Sequence, residues 1–562
     1  MTFDFYYDWK STFPEIFLII VFSILLLYGV FYSRIQSTNE INLSTGITNI
    51  TDVTYTTSEH YIASQNKQYK PFYIIENIVW LSVLAFMFTI LLIINNPISH
   101  NLVFGGMLLI DDFTSTIKLI ISATTIILLL VSIQFLKKEK ITAYEYVILM
   151  AFAVLGLFLL ISSYNLISLY LAIELQSLSL YVLAAFKTNS EYSTEAGLKY
   201  FVLGALSSAF LLFAGSLIYG FSGTTSFDHL SKLFVLPITT STTANSFDIS
   251  NSTLMLYNDV ATLSANTLNS GLLLAILFFI VALFFKLSAA PFHMWAPDVY
   301  EGAPTSVTAF FAIVPKIAIF TIIIRIFFDI FYIFFLSWQN VLFFSAILSI
   351  VFGTLGAFYQ KKIKRLLAYS AISHIGYMLL AFSTGTVEGI QSLFFYIIVY
   401  IIVSLSFFSI LLSLRIQRNN NLSATFNRDE HKVIYLSDLV GLSKQNAPLA
   451  IAIALLFFSM AGVPPLAGFF SKLYVLLAMV QMGLYPLLIL VIFMSVIGCF
   501  YYIRLIKLIY FDETNTNQYV FTIISKETSY VLATGILILV LFFVYPAPLT
   551  LLAHKLALLC CC

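Results

Sequence analysis

The sequence predicts an all-α, polytopic membrane protein of about 14 transmembrane helices, with two inverted five-helix repeats and two broken helices. Three observations lead there. The 562 residues are 60% hydrophobic and only 10% charged, with a mean hydropathy of +0.95, whereas a soluble chain carries about a quarter charged residues. Apolar runs about twenty residues long, enough to cross a bilayer as a helix, recur from one end of the chain to the other. Two of these runs are interrupted by Pro and Gly, and they stand five runs apart.

The runs fall at 14–33, 73–94, 114–136, 144–163, 164–187, 195–220, 271–294, 303–329, 333–358, 365–384, 388–416, 448–480, 484–510 and 528–552. The cations of the intervening loops sort by side. With the N-terminus on side A and each span reversing direction, nineteen Lys and Arg fall on side B, among them Arg34, Lys67, Lys137, Lys187, Lys361 and Arg415. Five lie on or near side A: Lys10, Lys118, Lys232, Arg325 and Lys555. This bias makes B the cytoplasm-like side and puts both termini opposite it. An incorrect number of spans would scramble the pattern.

The repeat divides the chain into an N-terminal three-helix segment (1–143), a first half (144–329, spans 4–8), a second half (330–510, spans 9–13) and a C-terminal span 14 with its tail (511–562). A polar insertion at about 221–270 includes TTSTTANSFDISNST, whose composition reads as a solvated loop. Residues 35–72 form another polar excursion, on side B.

Once the loop cations are set aside, four of the 28 Lys and Arg remain, each within a span: Lys199, Lys286, Lys316 and Lys472. Among the 27 acidic residues only Glu174 lies well inside one. A charge at the bilayer centre costs about 2.5–3.5 kcal/mol even on insertion scales. A lone intramembrane Lys is often a snorkelling anchor or half of a structural ion pair, and Lys199, near the start of its span, fits that reading equally well. Five ionisable groups on five helices fit a proton path better. Buried Lys gives up its proton readily and Arg does not, and all four cations are Lys.

The breaks lie beside two of these lysines. In FFKLSAAPFHMWAPDVYEGAPTSV, Lys286 is followed by Pro291, and in MAGVPPLAGFFSK, Lys472 is preceded by Gly462, Pro464 and Pro465. Proline removes a backbone donor and clashes with the turn before it. Freed backbone groups at membrane depth are tolerated only where protein or a watery cavity satisfies them. Unrelated proline kinks are the plainer reading. The five-span spacing favours a repeat in which spans 4–8 recur inverted as spans 9–13, with Lys286 and Lys472 on corresponding helices.

FFKLSAAPFHMWAPDVYEGAPTSVTAFFAIVPKIAIF, KRLLAYSAISHIGYMLLAF and FSMAGVPPLAGFFSKLYVL resemble the signatures of the subunit 2 family of NADH:ubiquinone oxidoreductase, complex I, called subunit N in bacteria. So does IELQSLSLYVLAAF with the following EAGLKYFVLGALSSAFLLFAGSLIYG, and the resemblance covers nearly the whole chain from residue 73. It implies one of the antiporter-like, proton-translocating subunits of the membrane arm, coupling quinone reduction in other subunits to pumping through buried Lys and Glu. Residue by residue, it implies that Glu174 and Lys286 are the family's paired Glu and Lys. Lys316 matches the central Lys of span 8, Lys472 the Lys of the second broken helix, and Lys199 the Lys of span 6. His293 and His374 would be polar members of the intervening axis.

The resemblance further implies a subunit of a proton-translocating NADH:ubiquinone reductase with no redox centre of its own. FMN, iron–sulfur clusters and ubiquinone are expected in or at other subunits. The expected partners are other membrane-arm subunits, especially subunit 4 and the small subunit 4L, together with lipids, and no nucleic acid. The residues point the same way. There is no CxxC pair, no Rossmann glycine fingerprint and no phosphate loop. Cys499 and the terminal Cys560 to Cys562 cannot build an iron–sulfur site, and the histidines are too dispersed to hold a metal.

Composition rich in Phe, Tyr, Ile and Asn suggests an A+T-rich organelle coding sequence. No transit peptide precedes the first span, so the expected location is the mitochondrial inner membrane, with both termini in the intermembrane space. A related cation/proton antiporter subunit and a structural spacer of the membrane arm are the alternative functions. No long lateral helix is expected after span 14, which favours the subunit 2 type.

Overall fold

The computed structural model describes residues 5–46, 57–96, 101–139, 141, 143–234, 253–418, 430–512, 519–522 and 524–561. Among them, twelve helices are long and apolar enough to cross a membrane. They are spans 1–11 and span 13: Phe13–Tyr32, Ile74–Ile94, Asp112–Lys138, Glu145–Ser162, Leu166–Ala184, Glu191–Ser222, Ser270–Leu287, Thr305–Ile330, Tyr332–Phe358, Ile363–Ser383, Val387–Ser413 and Tyr485–Tyr510. Span 12 is two shorter helices, Ala447–Ala461 and Ala467–Gln481. The all-α, polytopic architecture is therefore the one expected, for the reason that lipid leaves the backbone no partner outside its own helix.

Three boundaries differ from the sequence reading. The helix of span 7 already begins at Thr253, inside the insertion read as a loop, and ends at Leu287, and a separate short helix, Trp295–Gly302, follows before span 8. Span 14 ends at Leu541, and a further helix, Ala547–Cys561, follows it. Pro546 and Pro548 suit the start of a new helix and not the interior of an old one. The polar excursion at 35–72 is largely helical, since the helix of span 1 runs on to Gly46 and that of span 2 begins at Thr57. The tract 239–253 falls almost wholly outside the described residues, as do Cys562 and the tip 47–56.

Span 8 is the centre of the bundle, with every residue from Thr305 to Arg325 buried. Spans 4 and 5 cross closely because Gly156 has no side chain: a Cβ there would lie 2.7 Å from the Gln176 backbone nitrogen. Spans 9 and 10 cross in the same way, with Gly353 facing the Ser373 nitrogen at 2.6 Å from such a Cβ. Each second-half residue follows its first-half counterpart by 197 positions.

Span ends that alternation assigns to one side do meet. On side A, Arg325 at the end of span 8 donates to Asp111 at 2.7 Å and to the Ile161 carbonyl at 3.0 Å. Lys118 of span 3 is also buried there, 2.5 Å from Glu15 of span 1. These two cations, which the sequence reading left in loops, clamp helices together, and removing one partner of such a pair costs about 3–5 kcal/mol. On side B, Glu139 accepts from Lys187, Arg415 and Lys432 at 3.2, 2.6 and 2.5 Å. Burial pushes the Glu139 carboxyl up, but these three cations outweigh it and hold the group below the usual carboxylate range. A small three-stranded sheet, with Arg415–Arg418 between Glu430–Lys432 and Tyr519–Phe521, lies at this end.

Candidate functional site

The site grows out of the two helix breaks. At the first, Phe285 and Phe284 carbonyls accept from Ser288 and Ala289 N–H at 3.2 and 3.0 Å, and Ser288 sits at a left-handed φ of +62°. Lys286 is thereby held in the last turn of span 7. At the second break Gly462, at φ +84°, closes the helix end, with Val463 N–H donating to the Phe458 carbonyl at 3.0 Å. Glycine is needed twice over at 462. The backbone is left-handed, and a Cβ would meet the Lys472 side chain at 3.0 Å.

Around Lys286, span 5 presents Glu174, Ser177 and Tyr181 on one face, at helical i, i+3 and i+7 spacing. The Lys286 ammonium is 3.3 Å from the Tyr181 hydroxyl, which it can reach as donor, and lies over that ring at 5.7 Å. Ser177 donates to a Glu174 carboxylate oxygen at 3.4 Å, and the other oxygen, Oε1, is buried without a hydrogen-bond partner. No Glu174–Lys286 ion pair forms within 4.0 Å. On this face Ser177 meets Glu174 and Tyr181 meets Lys286.

Lys316 is buried at the centre of span 8 and donates to the Tyr400 hydroxyl of span 11 at 3.1 Å. That ring and Tyr300 flank its ammonium at 5.2 and 6.0 Å from their centroids. Tyr400 in turn borders a cavity of about 20 Å³ that also touches His374 and Lys472, room for about one water. His374 is buried, its Nδ1 2.7 Å from the Tyr396 hydroxyl and its Nε2 3.4 Å from that of Tyr502. Lys472 donates at 2.8 Å to the Ala461 carbonyl, which the helix break has freed. The Cys499 thiol shares that acceptor at 3.3 Å.

The structure thus brings Lys316, His374 and Lys472 together. Tyr200 packs edge-on against Tyr181, stacks on Trp295 and meets Phe311. The Trp295 indole N–H donates to the Phe285 carbonyl of span 7 at 2.8 Å. Two expected members stand apart. Lys199 lies at the side-B end of span 6, half-exposed, paired with Glu195 at 2.7 Å and Asp298 at 2.9 Å. His293 lies in the first break, stacked on Phe352 of span 9. Sequence reasoning missed Tyr181, Tyr396, Tyr400 and Tyr502. Their signal was weak, because 33 tyrosines are spread along the chain and helical depth does not reveal direction.

Residues 163–498 match the family described as NADH:quinone oxidoreductase/Mrp antiporter, TM. The chain is 41% identical to NADH-ubiquinone oxidoreductase chain 2 of Marchantia polymorpha, over 99% of this chain and 100% of that one. It is also 41% identical to NADH-quinone oxidoreductase subunit N of Parvibaculum lavamentivorans, over 82% of this chain and 86% of the relative. The chain belongs to the chain 2/subunit N family of NADH:quinone oxidoreductase. A chain of respiratory complex I from Thermus thermophilus has a similar structure, with a TM-score of 0.64, 25% identity, and coverage of 85% of this chain and 93% of that one. Family membership agrees with the resemblance carried by the sequence signatures around Lys286, Lys316 and Lys472.

Proposed function

We propose that this chain is a proton-translocating membrane-arm subunit of respiratory NADH:ubiquinone oxidoreductase, multi-pass in the mitochondrial inner membrane with both termini on the intermembrane-space side. The observation that carries the reading is the continuity from Lys316 through Tyr400 and a water-sized cavity to His374 and Lys472. A proton leaving the Lys316 ammonium has a hydroxyl acceptor at 3.1 Å. Beyond it, one water would connect Tyr400, His374 and Lys472. Glu174, reaching Lys286 only by its field, stabilises the charged lysine, so a charge rearrangement elsewhere in the enzyme shifts protons without breaking a contact pair. FMN, iron–sulfur clusters and ubiquinone belong to other subunits in this reading, and the neighbours are membrane-arm subunits such as subunit 4 and subunit 4L. Residues 144–329 and 330–510 are its two antiporter-like halves.

A related cation/proton antiporter would share the lysines. The extent of similarity to chain 2 and subunit N proteins, end to end in the Marchantia case, favours the respiratory enzyme. Lys316→Met tests the reading, because it keeps the side chain's length and removes the exchangeable proton. The expected result in sealed vesicles is an assembled enzyme that moves fewer protons per NADH oxidised. An assembled variant with the wild-type ratio would remove Lys316 from the path.

A further inference from the structure

Away from the lysine axis, a cavity of about 300 Å³ opens at the side-B end of the bundle, at the lower end of the range for small-molecule sites, roughly 300–1,000 Å³. It lies on the seam between the two halves. Its walls come from the loop after span 5, the starts of spans 8 and 10, the end of span 11 and the strand Glu430–Lys432. Five cations line it, Lys187, Lys362, Lys364, Arg415 and Lys432, against one lining carboxylate, Glu301. A second carboxylate, Glu139, lies against the wall and is shared by Lys187, Arg415 and Lys432. Lys362 is paired with Glu301. Three positive charges are therefore in excess.

Lys364 is the clearest part of that excess. Its ammonium donates to the Ala303 carbonyl at 2.7 Å, and among the described residues no carboxylate lies within ion-pair distance of it. Spans 8 and 10 both begin at this cavity, at Thr305 and Ile363, and neither has a side-chain cap on its first turn. Their N–H groups and dipoles add to the positive field at the same place. Apolar side chains, including Phe135, Leu411 and Leu414, complete the lining.

We propose that this cavity binds the phosphate group of an anionic ligand, held by Lys187, Lys364, Arg415 and Lys432. Two sources carry such a group to this boundary: the headgroup of an anionic phospholipid and a soluble phosphate. The proposal rests on the cavity's own charge and holds whether or not the lysine axis moves protons.

The test is amine labelling of the assembled, delipidated enzyme, with the reaction of each lysine followed by peptide mass spectrometry. The assembly is compared in vesicles of phosphatidylcholine alone, in phosphatidylcholine containing phosphatidylglycerol, and in phosphatidylcholine with inorganic phosphate, against chloride at equal ionic strength. Lys444, exposed on the same side and outside the cavity, reports general screening. The expected result is labelling of Lys187, Lys364 and Lys432 slowed at least about fivefold relative to Lys444, as ammonium groups become tied to phosphate oxygens. Slowing by phosphatidylglycerol alone identifies a lipid headgroup, and slowing by inorganic phosphate identifies a soluble ligand. Equal labelling in every condition would overturn the proposal. So would lysines that stay unreactive in phosphatidylcholine with chloride, because Glu139 and the Ala303 carbonyl would then already hold them and leave no ammonium free for phosphate.

Discussion

Lys286 and Lys472 each stand beside a helix break, yet they are placed differently about it. The two breaks close alike, with a left-handed residue at 288 and 462 and an N–H bonded five residues back, from Ala289 to Phe284 and from Val463 to Phe458. Lys286 precedes its break by two residues, whereas Lys472 follows its own by ten, on the next helix segment. Their surroundings differ accordingly. Lys286 has a tyrosine hydroxyl and, farther off, the carboxylate of Glu174. Lys472 has a carbonyl, a thiol and a histidine across a small cavity, and among the described residues no carboxylate within ion-pair distance. The two breaks share a backbone geometry, and the groups around their lysines differ. Tyr400, which accepts from Lys316, and His374 border the cavity that Lys472 also lines, whereas Lys286 meets the Tyr181 hydroxyl.

The largest way to break this comparison is at the second helix break. Gly462→Val demands a β-branched residue at φ +84° beside the Lys472 side chain, where the backbone conformation alone costs about 1–2 kcal/mol. Loss of the assembled subunit from native gels is expected, and an assembled, fully coupled variant would show that the close approach is dispensable. Glu174→Gln comes next. It leaves packing almost unchanged and removes the carboxylate on the span 5 face that also carries Tyr181, so protons moved per NADH should fall in an assembled enzyme. Normal coupling there would take control of the first half away from Glu174. The smallest effect is expected from Tyr400→Phe, which keeps the ring against Lys316 and removes the hydroxyl. Turnover should slow by roughly tenfold, the scale of one lost hydrogen bond of about 1–1.5 kcal/mol. Unchanged turnover would mean that water alone joins Lys316 to the cavity.

Most of the fold was legible in the sequence because bilayer thickness and proline chemistry act locally. Twelve of the fourteen runs are single helices at nearly the expected places, and the break before Lys472 lies at Gly462 to Pro465, as read. What escaped depends on direction and distance between helices. The pairing of Glu174 with Lys286 was expected as a contact, but the packed bundle sets the Tyr181 hydroxyl beside Lys286 instead. Lys118 and Arg325 looked like loop cations because they lie near span ends, where burial depends on a partner from another span, Glu15 or Asp111. The side-B cavity draws its five cations from loops and span ends spread between residues 187 and 432, a grouping with no linear pattern to find.

The central claim is that the buried lysines exchange protons and do not serve as fixed charges, and Lys286→Arg tests it most directly. Arginine keeps the positive charge beside Tyr181 and in the field of Glu174, and it pairs with oxygen acceptors at least as well as lysine. A guanidinium, with a pKa above about 12, stays charged even when buried. Proton translocation is measured against NADH oxidation in sealed vesicles, with assembly checked on the same preparation. The account predicts an assembled enzyme with defective proton transfer through this subunit, whereas wild-type coupling in Lys286→Arg would contradict it and leave the lysine a structural charge.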